Sequence, residues 1–129
     1  MQILIRSRHA LDTSWLPYPN LSHLSQTTIR VLGGLLSAYH FSSGDSIYLE
    51  RAVELANRML PTFDTPSGLP LSMVNLALRK GVPDEAFPTL VSTAEAATLQ
   101  LEFRYLSFLT GNDEYWEKAE RVRGPHAMR

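Results

Sequence analysis

From Thr27 onward, apolar residues recur at helical spacing. Ile29, Leu32, Leu35, Leu36 and Tyr39 share one face of a predicted helix over roughly 26–41. Gly33-Gly34 sits in its middle. Each glycine there costs about 1 kcal/mol relative to alanine, which predicts the close approach of another backbone. Ser42-Ser43-Gly44-Asp45 reads as a stop, a turn and a new cap. Ile47, Leu49, Ala52, Val53, Ala56 and Leu60 mark a second helix to about residue 60, with Glu54 and Arg58 four apart on its wet side. A third helix is predicted from about 92 to 109 on Ala94, Ala97, Leu101, Tyr105 and Leu109. Thr110-Gly111-Asn112 closes it, and a fourth begins near Asp113 with Tyr115, Trp116, Ala119 and Val122.

Between the second and third helices lie five of the eight prolines, at 61, 66, 70, 83 and 88. No useful helix survives there. Leu69, Leu71, Met73, Val74 and Leu76 are too apolar for a solvated linker, so the connection 61–91 is expected to be ordered and to pack down. Residues 1–25 show no sustained period, and Pro17 and Pro19 flank Tyr18, which predicts a poorly ordered lead.

The chain repeats itself. Gly44-Asp45-Ser46-Ile47-Tyr48-Leu49-Glu50-Arg51-Ala52 aligns with Gly111-Asn112-Asp113-Glu114-Tyr115-Trp116-Glu117-Lys118-Ala119 at an offset of 67 residues. The predicted fold is therefore all-α: two αα-hairpins joined by a long ordered loop. Such units normally bury their apolar faces against further neighbours, so two of them read as a slice of something larger. The same shift places Gln26, Arg30 and Glu95 near the starts of equivalent helices, at one shared rim.

Composition excludes more than it selects. Of 129 residues, 44% are apolar, enough for a core, and twelve Lys and Arg against thirteen Asp and Glu leave a formal net charge of −1. There is no basic surplus for nucleic acid or a membrane surface. Without cysteine there is no disulfide framework and no thiolate metal site. No apolar run is long enough to span a bilayer. The opening Met1-Gln2-Ile3-Leu4-Ile5-Arg6 meets charge too early for a signal peptide, so no targeting signal is expected.

The candidate chemistry is sparse. Arg30 stands one helical turn after Gln26 and reads either as a guanidinium held at a helix mouth for a polar ligand or as a surface arginine. Glu95 follows Ser92 by three, so it reads either as half of a capping box or as a ligand-facing carboxylate. Glu102, between Leu101 and Phe103, needs a partner if buried, and Arg104 or Arg30 is expected to pair with it. The four histidines show no metal-ligand spacing, and Asp84 and Glu85 read as solvated. Neither a phosphate-binding glycine loop nor a nucleophile triad is present.

The run Thr27-Thr28-Ile29-Arg30-Val31-Leu32-Gly33-Gly34-Leu35-Leu36-Ser37-Ala38-Tyr39-His40 closely resembles class I α1,2-mannosidases, glycoside hydrolase family 47. The similarity continues through Ala52-Val53-Glu54-Leu55-Ala56, Thr65-Pro66-Ser67-Gly68-Leu69-Pro70 and Val74-Asn75-Leu76. It resumes at Ser92-Thr93-Ala94-Glu95, Leu99-Gln100-Leu101-Glu102-Phe103 and Leu109-Thr110-Gly111. The resemblance implies an (αα)7 barrel that trims α1,2-linked mannose from high-mannose N-glycans in the endoplasmic reticulum or Golgi, with calcium and with inversion. It divides the chain into a non-homologous lead (1–26), a partial barrel segment (27–122) and a tail (123–129).

In the family, Thr-Thr-Ile-Arg follows a glutamate that resembles the catalytic acid, and this chain has Gln26 there. An amide cannot donate a proton as a carboxylic acid does. Arg30 and Glu95 match family positions that contact sugar, whereas the other catalytic carboxylates and the calcium site lie C-terminal to the matching segment. The expectation is a fragment that is inactive by itself, the alternative being a non-catalytic glycan-binding or helical interaction module. The abrupt break at Thr27 suggests translated intron, or an alternative start, joined to a genuine exon. A missing AG splice acceptor before the Thr27 codon would refute that origin. Exposed helix faces in a partial barrel predict aggregation.

Overall fold

The computed structural model describes residues 21–124, so most of the expected poorly ordered lead and of the tail 123–129 lies outside the described residues. A short strand, β1 (Leu21–His23), runs straight into helix α1, which proceeds as Leu24–Thr27, a π turn at Thr28–Leu32, and Gly33–Phe41. The helix thus starts two residues before the boundary that the apolar spacing gave. Ser43 and Gly44 turn the chain with φ of 63° and 90°. The Asp45 carboxylate then accepts the Ile47 N–H at 3.2 Å and caps α2 (Ser46–Met59). A 3₁₀ turn, Leu60–Phe63, ends α2 at Pro61.

The proline-rich connection folds back. Strands β2 (Met73–Asn75) and β3 (Lys80–Val82) form an antiparallel hairpin, and β1 adds to β2 with Leu21 opposite Asn75 and His23 opposite Met73. The fold is mostly helical, with this small sheet added. Thr62, Phe63, Pro70, Val74 and Leu76 are buried, so the connection packs down on the helices.

Where one helix was predicted over 92–109, the structure has two: α3 (Thr93–Ala97) and α4 (Gln100–Thr110). The break falls at Thr98-Leu99. Thr98 has ψ near 0°, and its hydroxyl donates to the Glu95 carbonyl at 3.2 Å, a local bond that competes with the helical ladder. Gly111, at φ 71°, closes α4, and α5 (Glu114–Glu120) follows, then a 3₁₀ turn at Arg121–Arg123.

The core runs across both hairpins. Leu32 and Leu36 of α1, Leu55 and Met59 of α2, Leu99, Phe103 and Leu106 of α4, and Tyr115 and Ala119 of α5 belong to one buried cluster. Burying one such large apolar side chain contributes roughly 1.5–3 kcal/mol. Positions related by the 67-residue shift share the same fate: Leu32 and Leu99, Leu36 and Phe103, Ala52 and Ala119 are all buried. The seam between hairpins is specific. Phe63 meets Phe103 edge-on at 5.8 Å, the Tyr115 hydroxyl donates to Asn57 Oδ1 at 2.7 Å, and Lys118 reaches Asp64 at 2.9 Å.

Candidate functional site

Hydrogen bonds and packing fix the start of α1. The Leu24 N–H donates to the Ser72 carbonyl at 2.9 Å, which ties the helix start to the strand β2 region. The Thr28 hydroxyl, fully buried, donates back to the Leu24 carbonyl at 2.9 Å. With Leu24, Ser25, Thr27 and Thr28 facing inward, Gln26, Ile29 and Arg30 face solvent. The first turn of α1 packs against α3, so the helix start bearing Gln26 and the short helix bearing Glu95 are neighbours. Arg30 lies inside the π turn. Such a turn takes one more residue than an α turn, so Gln26 and Arg30 are less closely aligned than regular helical spacing gives. Among the described residues neither Arg30 nor Glu95 makes a side-chain hydrogen bond or ion pair.

Two local expectations are corrected. Ser92 has the extended backbone of an N-cap, with ψ of 135°, but its side chain caps nothing, so the Ser92–Glu95 capping box does not form. Glu95 is half-buried in the first turn of α3. Nor does Glu102 pair with an arginine. Arg104 lies two residues on, where a helix turns side chains apart, and its guanidinium sits 4.7 Å from the centre of the Trp116 ring. Glu102 instead covers Gly33: a Cβ there would lie 3.6 Å from both its Cγ and its Oε1. The close approach predicted at the glycine pair is thus made by a side chain, and only at Gly33, since Gly34 has open space beside it. Oε2 of Glu102 is buried without a hydrogen bond, and burial pushes this carboxyl above its ordinary pKa.

Beside Glu102 opens a groove of about 500 Å³ between the start of α1, the α3–α4 elbow and α5. Ile29, Gln100, Leu101, Glu102, Trp116 and Glu120 line it. Glu120 is 4% exposed, and Ile29 and Leu101 are 46% and 76% exposed. Arg30 and Glu95 are not among its lining residues. Trp116 and Glu120 stand four apart on α5, a same-face spacing that could have drawn attention to them. Their meeting with Glu102 depends on α5 folding back along α4, which no local pattern states. No helix among the described residues is long and apolar enough to cross a membrane.

Comparison with known proteins bears on all of this. Residues 20–127 match the sequence model of Glycosyl hydrolase family 47, which reaches N-terminal of the Thr27 boundary. A mannosyl-oligosaccharide 1,2-alpha-mannosidase of Candida albicans is 56% identical over 97 residues, which is 75% of this chain and 17% of that protein. The endoplasmic reticulum mannosyl-oligosaccharide 1,2-alpha-mannosidase of Homo sapiens is 50% identical over 101 residues, 78% of this chain and 14% of that one. The solved structure of an alpha-1,2-mannosidase from Trichoderma reesei superposes with a TM-score of 0.64 at 36% identity, covering 79% of this chain and 23% of that chain. This chain therefore spans less than a fifth of the length of these two curated relatives.

Proposed function

We propose, from the premise that the chain belongs to glycosyl hydrolase family 47, that it supplies one stretch of wall of an α1,2-mannosidase barrel and performs no hydrolysis by itself. The substrate class is the high-mannose N-glycan, and the compartment is the endoplasmic reticulum, which the names of several relatives carry. The observation that carries the reading is the packing of the α1 start against α3. It sets Gln26 and Glu95 on two neighbouring helix beginnings, with Arg30 farther along α1 in the π turn.

Each residue then has a role. Arg30, exposed and unengaged by other described side chains, offers a fixed fork of donors to sugar hydroxyls. Glu95 accepts from a hydroxyl of the same glycan. Gln26 takes the place from which a carboxylic acid would protonate the departing oxygen. An inverting glycosidase needs that acid and, across the sugar ring, a second carboxylate to activate water. An amide does neither. The family resemblance implies a calcium site C-terminal to the matching segment. No step is routed through it.

Incubating the purified chain with a high-mannose glycan and measuring free mannose tests the proposal. No release is expected, and release above a heat-treated control would overturn it. Weak glycan binding, read by NMR line broadening of the sugar and lost in Arg30→Ala, is expected of the wall alone.

A further inference from the structure

We infer that the π turn in α1 is a positioning device for Arg30: the helix carries one residue more than α geometry needs, and that residue sets the direction from which the guanidinium meets the glycan. The inference rests on the sugar-contacting role proposed for Arg30 above. The extra residue shows in the burial. Ile29 stands seven residues before Leu36, so an unbroken α-helix would put both on the one face that the apolar spacing predicts. Leu36 is 2% exposed, yet Ile29 is 46% exposed. Thr28, eight residues before Leu36, is fully buried instead. Thr28 thus fills the inward slot that regular spacing gives to Ile29, and Ile29 is the residue left over. The backbone agrees: the Gly33 N–H donates to the Thr28 carbonyl, five residues back rather than four. Single turns of this kind inside α-helices gather at functional sites.

Both flanks of the turn are anchored. Before it, the Leu24 N–H is tied to the Ser72 carbonyl, and the buried Thr28 hydroxyl is tied to the Leu24 carbonyl. After it, Leu32 and Leu36 lie in the core, and Glu102 covers Gly33. The extra residue therefore bulges outward between fixed ends, and Ile29 and Arg30 both face solvent. Packing alone favours the shorter helix, which leaves no isoleucine outside. What the insertion changes is the direction of Arg30, at the middle of the turn. A guanidinium is a planar fork of donors, so its recognition of hydroxyls depends on that direction.

Deleting Ile29 tests this. It brings Gly33 to four residues after Thr28, so the same N–H and carbonyl close an ordinary α bond and both flanks keep their places. Arg30 alone is re-aimed around the helix axis together with Val31. The deletion variant is expected to keep the helical circular dichroism and the urea midpoint of the wild type. Its binding of a high-mannose glycan, titrated by NMR, is expected to weaken by about tenfold or more, the worth of one hydrogen bond to a charged group. Ile29→Ala removes the side chain but keeps the residue count, and is expected to bind as the wild type does. In the wild-type chain, scalar coupling across the hydrogen bond is expected to join the Gly33 amide to the Thr28 carbonyl. Coupling to the Ile29 carbonyl instead would overturn the inference without any variant. So would full-strength binding by the deletion variant, loss of its helical signal, or an equal loss of binding in Ile29→Ala. A wild-type chain that binds no glycan, or Arg30→Ala that binds as well as wild type, is a different result: it sinks the role of Arg30 itself, and the inference with it.

Discussion

Glu102 and Glu54 respond to acid in opposite senses. Hydrogen bonds from Arg51 and Arg58 hold Glu54 below its ordinary value, so its contribution is present at neutral pH and fades as pH falls through its folded-state pKa. Glu102 is raised by burial from a reference of 4.5, so the folded chain binds its proton more tightly than the unfolded chain does. Its penalty is absent in acid, starts to appear as pH rises past the unfolded value and is complete above the folded one. Glu102→Gln is expected to stabilise the chain at pH 7 by on the order of 1 kcal/mol, with the advantage vanishing as pH falls below the reference value. Urea titrations of both proteins across that range check it, and a difference independent of pH would contradict the assignment. Sequence reading marked Glu102 as needing a partner because of its apolar neighbours. It could not foresee that Trp116, four residues past the Gly111-Asn112 turn, would take Arg104 instead.

Among the elements, the β2–β3 hairpin is held against the 3₁₀ turn by a position that admits no side chain. A Cβ on Gly81 would stand 2.9 Å from the Thr62 Cα and 2.9 Å from the Leu71 Cδ1. Backbone on one side leaves little room for relief, so Gly81→Ala is expected to cost about 1–3 kcal/mol by overpacking, measured as a lower urea midpoint. Helices α1 and α2 were legible because several turns of periodic spacing and a stop define each one, Gly44 after the first and Pro61 after the second, and α5 because its start repeats that of α2. The sheet was not legible. Its strands have three residues apiece, too few for an alternating pattern to show, and β1 pairs with partners some fifty residues away. The Thr98 break escaped for a related reason: a single hydroxyl bond to Glu95 decides it, while the apolar spacing runs on across the gap.

At the scale of the molecule, Phe103 is where the hairpins meet. It is fully buried and touches the rings of both Phe63 and Tyr115. Phe103→Ala is expected to cost about 3–5 kcal/mol, a large fraction of the stability of a small domain. Differential scanning calorimetry is expected to show one transition, shifted down, since both hairpins share one core. Two separated transitions would mean that the hairpins melt independently. The rim was legible to the extent that the repeat placed helix starts together, and α1 and α3 do pack there. The groove beside Glu102 was not, because it is built by three elements whose mutual placement no local spacing records.

The seam also ties together remote parts of the sequence. Tyr115 and Asn57 stand 58 positions apart, and Lys118 and Asp64 stand 54 apart. Bringing such distant partners together is slow relative to closing a short turn, so each hairpin is expected to form before the two dock.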